Sequence, residues 1–305
     1  MLLSEILEQI PYTENYKIIN EKPFSYLALS ASSISDPNCT FLDSEKYIDN
    51  ISESVTMVLT VDGLAPKLMN GHYGLCVVEQ PRELFFTLHN FLSNKEGYRR
   101  ESYKTLVGKG CNISSLSYIS DANVTIGNNV TIEEFVSIKE NVVIGDNSII
   151  RAGTIVGGEG FEFKRFDGGI LPVKHLGGVI IGESVELQQN NCVDKAIYPW
   201  DDTVVGDNCK TDNMVYIAHA VKMKRNVLIA AHTCVAGRVV MEEDVWIGPG
   251  VTLINGMHIG KSARVNIGSV ATKSVADYES VTGNFAIPHQ QFIENLKKST
   301  RKVDE

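Results

Sequence analysis

The sequence predicts a β-solenoid, preceded by a small α/β domain and followed by one C-terminal helix. Three observations carry this reading. Aliphatic residues recur every six positions through most of the chain, small or turn-prone residues fill the intervals, and the first 105 residues or so lack that beat. A six-residue period fits neither a 3.6-residue helix nor an alternating strand. It fits a short strand and a turn repeated as one side of a polygon, with one side chain per side pointing inward.

Residues 1–105 are expected to form the α/β domain. Ser4 to Ile10 reads as a short amphipathic helix with Leu3, Ile6, Leu7 and Ile10 on one side. Strand-like runs follow at Val55–Val61 and Gly74–Val78, and Glu83–Leu92 has helical apolar spacing. Residues 93–110 are charged and polar, which places the linker there.

The solenoid is expected over 106–276. Ile126, Ile132, Ile138, Ile144, Ile150 and Val156 head successive hexads, and the beat returns at Ile181, Leu187 and Val193. It then runs from Val205 through Ile217, Val235 and Leu253 to Ala271. A Gly-rich excursion interrupts it at 157–180, and solenoid insertions emerge on one face, often where ligands bind. The beat stops after Ser274, so 277–305 forms a C-terminal helical segment, with the helix from Pro288 to Lys302.

Composition narrows the function classes. A net charge of −9, without a run of five like charges, disfavours non-specific nucleic-acid binding. The N-terminus lacks a signal-peptide pattern, and no stretch approaches the roughly 18–20 apolar residues of a membrane span. Six scattered cysteines without a CxxC pair read as reduced, so the expected location is cytoplasmic.

The hexad pattern resembles the left-handed parallel β-helix of the hexapeptide-repeat acyltransferases. That resemblance implies three hexads per triangular coil, residues 18 apart stacked on one another, about seven coils, and a prism on the order of 34 Å long. A closer likeness follows from Leu3-Ser4-Glu5-Ile6-Leu7, Thr40–Tyr47, Gly158-Glu159-Gly160-Phe161, Leu176–Val179, Asp201-Asp202-Thr203 and Asp212–His219. These segments resemble the UDP-3-O-(3-hydroxyacyl)glucosamine N-acyltransferases across nearly the whole chain. The string from Asp212-Asn213 to Ile217-Ala218-His219, in hexad register, is the more specific part. Phe41 and Tyr47 match the family's uracil-holding aromatic pair, although Phe and Tyr six apart are commonly only core.

Acyl transfer from a thioester to an amine needs a base, an oxyanion donor and two held substrates. Histidine is the natural base near neutral pH. Among seven histidines, His219 lies two residues after an inward Ile217, at a prism edge. The resemblance makes it the general base. The 18-residue coil puts Gly237 above His219, where the family's oxyanion-donating N–H falls, and Asp201 below it. Asp201 reads either as a carboxylate orienting the imidazole or as a turn residue. Asn213 resembles a sugar-contacting residue, and Gly160 and Phe161 offer close approach to the sugar or its phosphates. A zinc site like that of γ-class carbonic anhydrases, which share this prism, is not expected, because His219, His232 and His258 occupy different hexad places.

The chain departs from the family pattern at Gly256, where a second histidine contacts the hydroxyacyl chain. It departs again at Ala220 and Ser44, each in place of an Asn. The expectation is therefore N-acylation of a UDP- or dTDP-linked amino sugar in surface-polysaccharide (O-antigen) or lipopolysaccharide synthesis. Acyl-CoA is the favoured co-substrate, with acyl carrier protein as the alternative donor, and no cofactor is permanently bound. Shared prism edges imply a homotrimer. The alternatives are the lipid A enzyme using acyl carrier protein, an O-acyltransferase with the same base, and a non-catalytic nucleotide-sugar-binding scaffold.

Overall fold

Every inward-pointing residue of the six-residue beat is removed from solvent, from Ile126, Ile132 and Ile138 through Val235, Ile247 and Val265. They form one continuous apolar column along a left-handed parallel β-helix. The computed structural model describes residues 1–10, 15–283 and 286–300. Its three prism faces are parallel sheets of nine, eight and eight strands, most of them two residues long. Stacked partners are 18 residues apart over most of the length, as in Ile217 with Val235 and Leu228 with Trp246.

The polygon closes because one residue per side turns left-handed. Asn129, Asn141, Asn147, Asn190, Asn208 and Asn226 all have φ between +55° and +65°. Asn tolerates this conformation better than other side-chain-bearing residues. Successive Asn corners also bond along the stack, as in Asn129 to Asn147 at 3.3 Å. Short strands thus gain ladder bonds, corner bonds and a shared core together.

The prism has more rungs than the seven coils expected. Strands at Leu106–Val107, Asn112–Ile113 and Tyr118–Ile119 form a first coil where the beat is ragged. A last rung at Ser280–Val281 pairs with Arg264–Val265 after a shortened coil that breaks the six-residue phase. The expected linker over 93–110 is not a loose one. Tyr98 is fully buried, Arg100 reaches Asp202 at 2.7 Å, and the prism has already begun at Leu106.

The N-terminal domain is a five-stranded sheet. Its order is Tyr16–Ile19, Gly74–Val78, Val55–Thr60, Asn38–Leu42 and Tyr26–Leu27, with only the first pair antiparallel. The helix Pro81–Leu92 buries Leu84, Phe85, Leu88 and Leu92 against it. The first helix is shorter than expected, Leu3–Leu7. The final helix is His289–Thr300, and Arg301 and Lys302 of the expected span lie outside the described residues.

Two departures from the prism lock this domain in place. The Gly-rich excursion folds as an antiparallel hairpin, Phe163–Phe166 with Gly169–Pro172. Its return strand bonds the domain helix through Asn90 Nδ2 to Pro172 O at 2.8 Å and His89 Nε2 to Lys174 O at 2.8 Å. The second departure is a loop after Asp194 whose Ile197 and Tyr198 join the N-terminal core. Beside them, Trp200 Nε1 donates to Leu27 O at 3.0 Å.

Candidate active site

That second loop changes the stacking beneath His219. Val193 pairs with Ile217, 24 residues on, so one whole hexad loops out. Asp201 is consequently not under His219, correcting the expectation from an unbroken 18-residue coil. Its carboxylate instead meets Lys222 Nζ at 2.6 Å and accepts from its neighbour Asp202 N–H at 2.8 Å. It acts on the imidazole only as a nearby negative charge.

Above His219 the coil is unbroken, and Gly237 stands where the register puts it. A Cβ on Gly237 would lie 2.5 Å from His219 Nε2 and 2.7 Å from Cε1. Only glycine lets the imidazole lie against this backbone. The Gly237 carbonyl accepts from Gly256 N–H at 2.9 Å, whereas its own N–H has no partner among the described residues. The next residue up this corner is Asn255, which also faces the site.

His219 is 9% exposed, and burial pushes its basicity below the ordinary histidine range. Glu162 and Asp201 pull the other way, while Arg238 and Lys164 add to the depression. The neutral imidazole, the form able to accept a proton, is therefore favoured. Its Nε2 lies 3.5 Å from Glu162 Oε2, and its Nδ1 is buried without a hydrogen-bond partner among the described residues. The ring packs edge-on against His175, with centroids 6.0 Å apart.

His219 opens into a cavity of about 480 Å³ whose walls come from both parts of the chain. Phe41 and Tyr47 line it together with His219. Phe41 sits on the strand Asn38–Leu42, its ring 5.0 Å from Phe85. Tyr47 belongs to the 3-10 turn Glu45–Asn50, is 41% exposed, and carries Lys46 Nζ 4.6 Å from its ring centroid. Two aromatic faces and an imidazole thus border one space.

The remaining expected contacts are elsewhere. Phe161 is 85% exposed and leans on Phe163 rather than into the cavity. Gly160 backs onto Asp194 and His175, where a Cβ would come within 2.8 Å of the carboxylate. It serves packing of the excursion within this chain. Asn213 is exposed at the preceding prism corner, its Oδ1 accepting from Gln189 N–H at 3.0 Å. A single chain therefore does not bring it to His219.

Sequence reasoning missed Glu162, Lys164, Arg82, Arg238 and Asn255, all of which line the cavity. Asn255 could have been found by extending the 18-residue stack once more past Gly237. Glu162 and Lys164 flank Phe163 in the hairpin, where no repeat predicts facing. Arg82 lies in the domain helix and Arg238 at a left-handed corner, φ 59°. Among the described residues, no three His, Cys, Asp or Glu side chains form a metal-holding group, all six cysteines are free, and no helix is long and apolar enough to cross a membrane.

Comparison with known proteins agrees with this architecture. Residues 123–158 match the family model described as bacterial transferase hexapeptide (six repeats). A UDP-3-O-acylglucosamine N-acyltransferase of Caulobacter sp. (strain K31) is 31% identical over 152 residues, 50% of this chain and 44% of that protein. One of the same name from Methylobacterium sp. (strain 4-46) is 32% identical over 144 residues, 47% of this chain and 40% of that one. The matches thus span less than half of these relatives' length. Among solved structures, a UDP-N-acetylglucosamine acyltransferase from Campylobacter jejuni superposes with a TM-score of 0.53 at 22% identity. That match covers 59% of this chain and 68% of the other, and it shows the shared fold.

Proposed function

We propose that this protein is an acyltransferase that moves an acyl group from a thioester to the amino group of a nucleotide-linked amino sugar. The observation that carries the reading is one cavity bordered by Phe41, Tyr47 and His219, with the imidazole lying on Gly237. Phe41 and Tyr47 hold the pyrimidine between their faces. Arg82 and Arg238 offer two cations for the diphosphate that follows it.

His219 Nε2 takes a proton from the acceptor amine as its nitrogen attacks the thioester carbonyl carbon. The C–N bond forms while negative charge gathers on the carbonyl oxygen, and the unpartnered Gly237 N–H receives it. Collapse breaks the C–S bond, and the imidazolium returns its proton to the departing thiolate. No metal or redox group enters this sequence.

The relatives' names support UDP-3-O-acylglucosamine as acceptor, the second reading of the sequence, better than the O-antigen reading with a CoA donor. Acyl carrier protein is then the natural donor. The glycine at Gly256 favours a donor chain that needs no imidazole contact there. We also propose a homotrimer, supported by exposed Leu228 and Trp246 stacked in register on one flat prism face.

The test offers UDP-3-O-acylglucosamine and other UDP- and dTDP-amino sugars with matched thioesters of coenzyme A and acyl carrier protein, read by mass spectrometry. N-acylated UDP-3-O-acylglucosamine formed from the carrier thioester is the expected product. Product only from CoA and a different sugar would restore the first reading. No product from any pair, with nucleotide-sugar binding intact, would leave a scaffold.

A further inference from the structure

Among the described residues, Glu162 is the only carboxylate lining the His219 cavity. Its two oxygens face different groups. Oε1 is ion-paired with Lys164, and Oε2 points to His219 Nε2 at 3.5 Å, a gap longer than a good hydrogen bond. The backbone holds it there, with Glu162 N–H donating to Gly160 O at 3.0 Å and its carbonyl accepting from Val173 N–H at 2.9 Å. The side chain is 13% exposed.

A largely buried carboxylate oxygen needs a cation or strong donors to offset its lost hydration. Lys164 serves one oxygen. The other faces the His219 imidazole, whose basicity burial lowers, and has no good hydrogen-bond partner among the described residues. An ammonium nitrogen standing beside this pair, on its cavity side, would reach both Oε2 and Nε2 without lying between them.

We infer that Glu162 receives the acceptor sugar as its ammonium, so that this site selects amines over hydroxyls. The inference rests on the N-acyl transfer reading and deepens it. An ammonium must lose two protons to become an amide nitrogen bearing one substituent acyl group. Glu162 accepts the first and His219 the second. The His219 proton ends on the thiol sulfur, and the Glu162 proton passes to water as product leaves. An acceptor hydroxyl carries no charge, so it can donate a hydrogen bond to this carboxylate but forms no ion pair with it.

The experiment measures binding, without turnover, by isothermal titration of the full chain. UDP-glucosamine and UDP-glucose, which differ at one ring substituent, are titrated into the native protein and Glu162→Gln. The native protein should bind the amino sugar about 10- to 100-fold more tightly. Glu162→Gln should abolish that preference while moving UDP-glucose affinity by less than about threefold. Equal affinities in the native protein, or a preference that survives in Glu162→Gln, would overturn the inference even if N-acyl transfer is demonstrated. Failure of the native protein to bind either sugar would instead overturn the nucleotide-sugar reading beneath it.

Discussion

Gly237 and His219 are joined by an absence: the imidazole fills the space that any side chain at 237 would need, with Nε2 2.5 Å from the missing Cβ. A repeat that stacks residues 18 apart therefore also fixes the distance between an imidazole and an amide that has no partner among the described residues.

Gly237→Ala should displace the imidazole and crowd the amide. The expected loss in kcat is about 10²–10³, the range for removing one oxyanion donor. Steady-state kinetics with a thermal melt separate this from unfolding. A rate within threefold of the native value would remove Gly237 from the mechanism.

His219 as a buried base predicts an acid limb in kcat/KM. Burial lowers its pKa, so the neutral form persists below the ordinary histidine value of about 6.5, and activity should fall only as pH drops through that lowered value. His219→Ala should cost roughly 10²–10⁴ in kcat and erase the limb. A pH–rate profile on both proteins checks this.

Stability should follow the same sign. His89, pushed down to about 4, and His175 and His219 are all lowered mainly by burial. The unfolded chain binds protons first as pH falls below about 6.5, so folding loses stability from there toward pH 4. Thermal midpoints measured from pH 8 to pH 4 should be flat above about 6.5 and decline below it. A midpoint constant down to pH 4 would contradict this.

Phe41 and Tyr47 should separate binding from folding. Each ring face is worth about 1 kcal/mol to a stacked pyrimidine, so either alanine variant should weaken UDP binding about fivefold. Only Phe41→Ala should also lower the melting point, because Phe41 packs on Phe85 while Tyr47 is 41% exposed and outside the core cluster. Calorimetry and melts on the two variants read these effects independently.

Ala220 occupies a left-handed corner, φ 58°, where most corners carry Asn or Gly. Ala220→Gly relieves the Cβ conflict and should stabilise the chain by about 1 kcal/mol. Denaturant unfolding measures it, and a destabilised variant would show that the methyl group matters more than the backbone.

The fold was legible because period and burial say the same thing: each head residue from Ile126 to Val265 is inside. The misplacement of Asp201 has a physical cause. The loop after Asp194 adds one full hexad, so Val205 keeps the phase of Val193 although the stack has slipped from 18 to 24 residues. An insertion of the repeat's own length cannot be seen in the repeat. Phe41, Tyr47 and His219 were found by resemblance and do share a cavity. Glu162, Lys164 and Arg82 stayed hidden because only tertiary packing of the hairpin and domain helix gives them a common target.

The ties made by Trp200 to Leu27 and by Arg100 to Asp202 have a further effect. These ties join the domain that carries the aromatic pair to the prism that carries the imidazole. Under the proposed function, the protein would work as a caliper set to one span between a nucleotide base and a sugar amine. Sugars carrying nitrogen on another ring carbon should bind through the same aromatics yet fail to react, rejected by reach and not by contact. Product formation from positional amino-sugar isomers of equal affinity would read that setting directly.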